Sequence, residues 1–524
     1  MKNVILRIGT LLLALAMIIS VTGCGNKYED EEIEYIYQYE DGASIPEDEL
    51  NALESEDVSS ENTESAVSDE NKPTESKDNE STSSKTESKE ESKVDSKDES
   101  KVESKDESKN ESNKTDASSV KRPPSKTETT INDNVNPKDY KNTEITYATW
   151  RNPALYEDGP VVKEFERKYG IKVNVDLINE EDYTNTVLGR IASGKSPDVY
   201  FSTYTFPYCI DALQPIDVAK LDLNESIWDK SLIDISTVNG KTYLVDTIGS
   251  IWKDEDMVFY NKKIFRDNNW TTPEEYYEAG KWTFDTMKKC MQQVASLGTE
   301  YTGGAVHLEG LIHSAGASVI GMKNGKFYNG TTDTVTQDIM RWASTGLKEG
   351  WLSTTSIYTA LNQFPSGKVG IAILHSFGLK KTGYLRNMKA TDIGFTYLPS
   401  WNGKKTTPTS FVRGWGICKG AKNPVAAGIF LRNYLDVNNY DTDSAFISKE
   451  AENFFFKLTS TATSNKNFYF CYGSGVNGVT GKESAVSDYI GKPATSDPTQ
   501  VVTAISSYQN EINADIAKLN AKLK

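Results

Sequence analysis

The chain has 524 residues, a formal net charge of −17 and an isoelectric point near 4.9. About 34 acidic and about 15 basic residues lie between Lys27 and Tyr140, so the remainder of the chain is close to neutral. A nucleic-acid-binding protein normally has an excess of basic residues, and this chain has none. Three histidines are few for a metalloenzyme, so neither a metal site nor a cofactor is expected.

Residues 1–23 have the pattern of an export signal. A basic start is followed by the apolar run Leu11–Ile19, which is shorter than the roughly 20 residues needed to span a bilayer. The sequence Val21-Thr22-Gly23-Cys24 resembles the bacterial lipobox, in which the cysteine is acylated and becomes the new N-terminus. The resemblance implies a lipid anchor at Cys24 on the extracellular face of the cell membrane. A plain secretory signal is the alternative.

Residues 24–140 are expected to form a disordered tether. Ser92–Glu99 is nearly repeated by Ser100–Glu107, and from about Asp41 large apolar residues are almost absent. Burial therefore cannot offset the entropy lost by ordering this segment. A flexible coil of about 100 residues reaches about 50–60 Å, which suits a domain held away from a membrane.

From residue 143 the pattern changes to alternating strands and helices. Strands are predicted over Ile145–Thr149, Ile171–Leu177 and Asp198–Ser202, with helices over Pro160–Tyr169 and Tyr183–Ile191 between them. Helices of this length between strands indicate a parallel α/β sheet. Ligands bind at the carboxyl ends of the strands in such sheets.

Three motif-like patterns do not fit the chemistry that they suggest. Gly189–Ser196 matches the phosphate-loop pattern, but a predicted helix precedes it and a strand follows it, which is the reverse of the required order. Gly473–Gly478 matches a dinucleotide pattern without the following helix, strand and acid, so a glycine-rich loop is expected. The spacing of His307 and His313 fits no zinc helix, and a loop or groove position is expected for them.

The cysteines other than Cys24 are widely separated and form no CxxC pair. They are Cys209, Cys290, Cys418 and Cys471. An exported protein could pair them, but the pairing cannot be read from the sequence. Buried free thiols in a large stable domain are the alternative.

Five segments, in order, resemble the extracellular solute-binding proteins of ABC importers, specifically the sugar-binding family 1. The likeness runs from about Thr143 to the C-terminus. The segments are Ile145–Trp150, Phe165–Val173, Ala192–Tyr200, Val258–Phe265 and the late stretch Gly414–Leu431 with its Gly-Trp-Gly and Lys-Asn-Pro sequences. Glu278–Trp282 and the tail after Asn453 depart from the family pattern, which leaves the lip of the second lobe undefined.

The resemblance implies a two-lobe α/β fold of the periplasmic-binding-protein type (type II), with strands crossing between the lobes. The solute-binding domain is expected over 141–524. Its first lobe would be about 143–250 with 406–445, and its second about 251–405 with 446–524. The implied partners are a small carbohydrate and the transmembrane subunits of an ABC permease, with the membrane reached through Cys24. A monomer that binds no nucleic acid and has no catalytic residues is expected.

Sugar binding needs flat aromatic surfaces and bidentate polar groups. The chain places such side chains at the positions where the family has its cleft. Asp254, Glu255 and Asp256 are interpreted as a solvated loop that could instead receive a cation. The candidate ligand-binding residues are Trp150, Arg151, Tyr204, Trp252, Glu309, His313, Phe377, Arg413 and Trp415.

The leading hypothesis is a lipid-anchored receptor that captures an oligosaccharide and delivers it to a permease. One alternative is a binder of a cationic solute, such as a polyamine or basic peptide, held by Asp254–Asp256. A surface carbohydrate-active enzyme is another, although the sequence contains no recognisable catalytic motif. An adhesin with a cleft but no permease is a third.

Overall fold

A computed structural model describes residues 135–202, 205–403, 411–461 and 485–524. The predicted signal, Cys24 and the tether up to residue 134 lie outside the described residues. Tyr204, Cys471 and the glycine-rich segment Gly473–Gly478 also lie outside them. Within the described part of the chain, helices with the length and apolar character needed to cross a membrane are absent.

The described residues form fourteen strands and fifteen α-helices. The strands are β1 Glu144–Thr149, β2 Lys172–Leu177, β3 Val199–Ser202, β4 Leu213–Gln214, β5 Thr237–Val238, β6 Lys241–Thr242, β7 Asp256–Asn261, β8 Thr302–Ala305, β9 Ile320–Lys323, β10 Lys326–Asn329, β11 Leu352–Thr354, β12 Val369–His375, β13 Ile393–Thr396 and β14 Gly414–Cys418. The helices are α1 Gly159–Tyr169, α2 Tyr183–Ala192, α3 Lys230–Ile235, α4 Lys262–Asp267, α5 Pro273–Glu278, α6 Phe284–Ala295, α7 Leu308–Ser314, α8 Thr334–Glu349, α9 Ile357–Gln363, α10 Pro424–Tyr434, α11 Thr442–Ala445, α12 Lys449–Thr461, α13 Ala485–Ala494, α14 Val501–Ser506 and α15 Gln509–Lys522.

Two five-stranded sheets form the framework of a two-lobe α/β fold, as predicted. The first sheet has the order β2-β1-β3-β14-β4, with β1 parallel to β2 and β3 and antiparallel pairing at β14. The second has the order β11-β8-β12-β7-β13, with β8, β11 and β12 parallel and β7 antiparallel to β12. The late strand β14 belongs to the first sheet, so the chain passes between the lobes near residues 250–256 and again before residue 414.

Helices cover both faces of the first sheet, which explains its nearly continuous apolar strands. Ile145 and Tyr147 of β1 pack with Phe165 of α1 and Phe430 of α10. Ala148, on the opposite face, lies against α2, whose Tyr183 donates a hydrogen bond to the Ala148 carbonyl at 3.0 Å. The helix α1 ends at Gly170, whose φ of 65° requires the left-handed region that glycine tolerates.

The segment Gly189–Ser196 has the predicted order of elements, helix before strand, because α2 ends at Ala192 and β3 begins at Val199.

The second sheet is also covered on both faces, by α6 and by α9. The C-terminal helices α13–α15 pack on α8 and on the β9–β10 hairpin, where the Asn520 side chain bonds to both backbone polar groups of Phe327.

The described cysteines Cys209, Cys290 and Cys418 are free and buried. Cys209 and Cys418 belong to the first lobe, and Cys290 lies in α6 against the second sheet. Burial raises the pKa of Cys209 and of Cys290 to about 12, so both thiols stay protonated at neutral pH. The alternative of buried free thiols therefore holds for these three residues.

Candidate functional site

The topology of the second sheet brings three side chains to one edge. The parallel strands β8 and β12 both end at this edge. His307 lies two residues after the end of β8, and His375 is the last residue of β12. The antiparallel strand β7 begins at the same edge, with Asp256 paired in register with His375. Two histidines and a carboxylate, distant in sequence, are therefore adjacent.

The first sheet contributes a facing edge. The strand β1 ends at Thr149, so Trp150 and Arg151 leave the sheet there, and Arg413 directly precedes β14 at the same edge. Side chains from the two edges meet: Arg413 contacts Asp254, and Glu157, which follows β1, contacts Lys380, which follows β12. The candidate site lies along this junction, as expected for α/β sheets.

Arg151 is surrounded by aromatic rings. The carbon Cζ of its guanidinium lies 4.1 Å from the ring centroid of Tyr156, 4.7 Å from that of Trp252 and 5.4 Å from that of Phe377. The carboxylate of Glu157 lies 3.5 Å from Nη2. Cation–π attraction to three rings holds the guanidinium plane in place and presents rigid polar and apolar surface together.

Glu157 links the two lobes. Its Oε1 lies 3.3 Å from Nζ of Lys380, and its Oε2 accepts a hydrogen bond from the Thr382 hydroxyl at 3.2 Å. Burial opposes ionisation of this carboxyl, but the charges of Lys380 and Arg151 prevail and lower the pKa of Glu157 to about 2. The carboxylate is therefore ionised at neutral pH.

Asp254 is a second link between the lobes. Its Oδ1 accepts the Phe377 backbone N–H at 2.9 Å, and its Oδ2 lies 3.2 Å from Nη1 of Arg413 and 3.3 Å from Nδ1 of His375. Burial opposes ionisation here as well, yet His375 and Arg413 lower the pKa of Asp254 well below its ordinary value. The expectation of a solvated acidic loop is wrong, because this carboxylate is enclosed by partners and Asp256 is fully buried.

The histidines form a compact group beside Asp254. His307 Nδ1 lies 2.8 Å from Oδ1 of Asp256, and His375 Nε2 lies 3.6 Å from the same oxygen. Glu309 and His313 face each other on α7, with Oε1 and Nε2 separated by 3.7 Å. Burial lowers the pKa of His313 to about 3, so this imidazole is neutral at pH 7. Phe411 covers the group, with its ring centroid 5.3 Å from that of His375.

Comparison with known proteins gives the family. A family model described as bacterial extracellular solute-binding protein matches residues 141–436, which is more than half of the chain. The chain belongs to the bacterial extracellular solute-binding proteins. No similar sequence was found among curated proteins.

Solved structures share the fold of this solute-binding protein. An extracellular solute-binding protein from Staphylococcus aureus, solved with maltose, has 16% sequence identity and a TM-score of 0.52 over 72% of this chain and 99% of that chain. The ABC substrate-binding protein Lmo0181 from Listeria monocytogenes, solved with cycloalternan, has 16% identity and a TM-score of 0.50 over the same shares of each chain. At this identity the likeness concerns the fold.

The predicted aromatic residues of the solute-binding protein take different positions. Trp150 is half-buried, with its ring centroid 5.7 Å from that of Phe201 in a stacked arrangement. Phe377 is also half-buried and faces Arg151. Trp252 is 6% exposed, and Trp415 is fully buried among Tyr147, Phe201, Trp252 and Tyr434. Trp415 packs against Trp252, with 5.4 Å between the ring centroids. Direct contact of Trp415 with a solute stays a prediction.

The polar candidates cluster at the junction. Arg151 and Arg413 lie at the edge of the first sheet, whereas Glu309 and His313 are buried at the edge of the second. His307 lies in the connection before α7, which agrees with the expected loop position, and is 8% exposed. His313 lies within α7 and is 3% exposed, so the expected loop or groove position is wrong for His313.

Sequence reasoning missed Glu157, Lys380 and His375 as members of this site. His375 is the last residue of the otherwise apolar strand β12, and His307 comes two residues after the end of β8. Since the carboxyl ends of parallel strands share one edge, those two positions contained the signal. Glu157 and Lys380 lie in connections between the strands and helices, whose course depends on tertiary packing.

Proposed function

We propose that this protein captures a carbohydrate, of oligosaccharide size, between its two lobes and delivers it to the permease of an ABC importer. The observation that carries the proposal is the set of rings around Arg151 at the junction of the lobes. Half-buried Trp150, Tyr156 and Phe377 offer apolar faces for sugar rings, next to charged groups that can bond to hydroxyls.

Structures of the same fold hold sugars, maltose in one and cycloalternan in the other, which supports this class of ligand. The polyamine alternative is weaker, because Asp254 is already paired with Arg413 and His375 within the protein. A cationic solute would have to displace both partners from a buried carboxylate, which costs several kcal/mol.

We further propose that acylation of Cys24 anchors the protein to the extracellular face of the membrane through the predicted tether. Fractionation of cells that express the Cys24→Ser variant tests the anchor. The variant is expected in the medium, and the parent chain in the membrane fraction. An unchanged distribution would exclude the anchor and leave the sugar proposal intact.

Calorimetry with maltose, longer malto-oligosaccharides, cycloalternan and spermidine tests the ligand class. An affinity near micromolar for at least one saccharide, which corresponds to about −8 kcal/mol, is expected. Binding of spermidine alone would favour the cationic alternative. Appearance of shorter saccharides after incubation with the protein would favour the carbohydrate-active enzyme.

The Arg151→Leu variant tests whether the ring-enclosed guanidinium binds the solute, because leucine keeps apolar bulk but removes the guanidinium. Saccharide affinity should fall at least tenfold. Arg167→Leu is the matched control, because Arg167 is an exposed arginine of α1 that pairs with the neighbouring Glu164. Equal effects of the two substitutions would contradict the assignment of the site.

A further inference from the structure

We propose that Asp256, His307 and His375 form a binding site for a divalent transition-metal ion such as Zn²⁺. The chain contains three histidines, and two of them meet at this carboxylate from the ends of separate strands. The proposal does not depend on sugar binding and concerns a different ligand.

The donor atoms have nearly the spacing that a metal requires. One ligand atom from each of the three residues lies within 4.8 Å of the others. Oδ1 of Asp256 lies 2.8 Å from Nδ1 of His307 and 3.6 Å from Nε2 of His375. Tetrahedral zinc with bonds of about 2.0–2.1 Å places its ligand atoms about 3.3–3.4 Å apart. Small side-chain rotations would bring the three donors to that distance.

Two of the donor side chains have unused polar atoms. The Asp256 side chain is 0% exposed, and its Oδ2 has no hydrogen-bond partner among the described residues. His375 Nε2 is likewise buried without a hydrogen bond in that part of the chain, and it points towards Asp256. A buried polar atom without a partner destabilises the folded chain. A bound cation would satisfy His375 Nε2 directly, and Asp256 Oδ2 where the carboxylate binds through both oxygens.

A supporting carboxylate is already in place behind His375. Asp254 Oδ2 lies 3.3 Å from His375 Nδ1, and the Phe377 N–H and Arg413 fix this carboxylate. A carboxylate on one imidazole nitrogen selects the tautomer whose other nitrogen is free to bind a metal. The arrangement is the carboxylate–histidine–metal sequence that is common in metalloproteins.

The donor set favours a borderline metal over Mg²⁺ or Ca²⁺, because two imidazoles bind Zn²⁺, Co²⁺ and Ni²⁺ better than the hard cations. Three protein ligands leave a fourth position. The Glu309 carboxylate lies on the other side of the His307 ring, with its Oε2 4.0 Å from Nε2, the nitrogen that is not a proposed donor. His313 lies beyond Glu309 and is outside the proposed ligand set.

Calorimetric titration of the full chain with ZnCl₂ tests the site. The protein is stripped with EDTA and carries no histidine tag, and no sugar is present. One equivalent of Zn²⁺ should bind with a micromolar or lower dissociation constant. His307→Ala and His375→Ala should each weaken binding at least tenfold, and Asp254→Asn about 10–100-fold. Glu164→Gln, at an exposed carboxylate of α1, is the control and should keep the parent affinity.

The absorption spectrum of the Co²⁺-loaded chain distinguishes the loss of a metal ligand from a folding defect. The parent and the Glu164→Gln variant should show visible bands of a tetrahedral site, whereas the His375→Ala variant should lack them while keeping the parent circular dichroism. Absence of Zn²⁺ and Co²⁺ binding to the folded parent chain would overturn the proposal. Binding that survives loss of both His307 and His375 would also overturn it.

Discussion

Glu157 Oε1 lies 3.3 Å from Lys380 Nζ, which joins the connection after β1 in the first lobe to the connection after β12 in the second. Both side chains are almost completely buried, at 7% and 2% exposure. Contacts of this kind set how the two lobes meet. Removal of Glu157 would leave the buried Lys380 cation without its carboxylate partner.

The Glu157→Gln substitution should lower the free energy of unfolding by about 3 kcal/mol at pH 7, because Lys380 and Arg151 lose their shared counter-ion. The pKa of Glu157 lies at about 2 in the folded state and near 4.5 when exposed. Its stabilising effect is therefore present above about pH 4.5 and is lost as the pH falls towards 2.

Urea unfolding of the parent chain and the variant between pH 7 and pH 3 measures this effect. The difference between the two should shrink as the pH falls below about 4.5. Glu164→Gln is the control, because the Glu164–Arg167 pair is exposed and worth little. A difference that stays constant with pH would contradict the ion-pair argument.

Asp254 and Arg413 should show a coupling free energy of about 1–3 kcal/mol in a double-mutant cycle with Asp254→Asn and Arg413→Gln. The pair lies between the first-sheet edge and the crossing segment, where water screens it poorly. Urea unfolding in EDTA keeps metal effects out of the measurement. Additive effects would mean that Arg413 is held by its other contacts.

Gly310 in α7 leaves room for the Asp256 carboxylate. A Cβ at this position would lie 2.4 Å from Oδ2 of Asp256, so Gly310→Ala must displace the carboxylate or the helix. Thermal unfolding should show a loss of about 1–3 kcal/mol. Gly189→Ala in α2 is the matched control, since open space surrounds that position and alanine favours helix by about 1 kcal/mol. Similar losses at both positions would argue against a steric role.

Trp415→Ala should weaken saccharide binding at least several-fold and should also reduce the free energy of unfolding by about 3–5 kcal/mol, because the ring is fully buried. Trp228→Ala, at another fully buried tryptophan of the first lobe, gives the matched loss of stability. Calorimetry under conditions where both variants are folded separates the effects. Equal affinities of the two variants for the saccharide would mean that Trp415 acts through stability alone.

Much of the first lobe follows from local patterns. The alternation in Ile145–Thr149, the terminating glycine at 170 and the helix–strand order around Ala192 and Val199 match the observed elements within one or two residues. These elements depend on periodicity and capping, which act over a few residues. The pairing of β14 with β3 depends on contacts more than 200 residues apart, and only the family resemblance indicated it.

The side-chain environment of the site could not be read in the same way. A tryptophan at a crossing segment is a plausible sugar platform, but the four aromatic neighbours of Trp415 come from β1, β3, α10 and the crossing segment. The acids at 254–256 looked solvated because their cationic partners, His375 and Arg413, are distant in sequence. Burial of a polar residue is decided by long-range packing, which a local pattern does not contain.

The three buried thiols make the two lobes separately observable. Cys209 and Cys418 would react with a thiol reagent only when the first lobe opens, and Cys290 only when α6 leaves the second sheet. With Cys24 and Cys471 replaced by serine, mass spectrometry of labelled peptides would report which lobe opens first. The native thiols would therefore report the order in which the two lobes unfold.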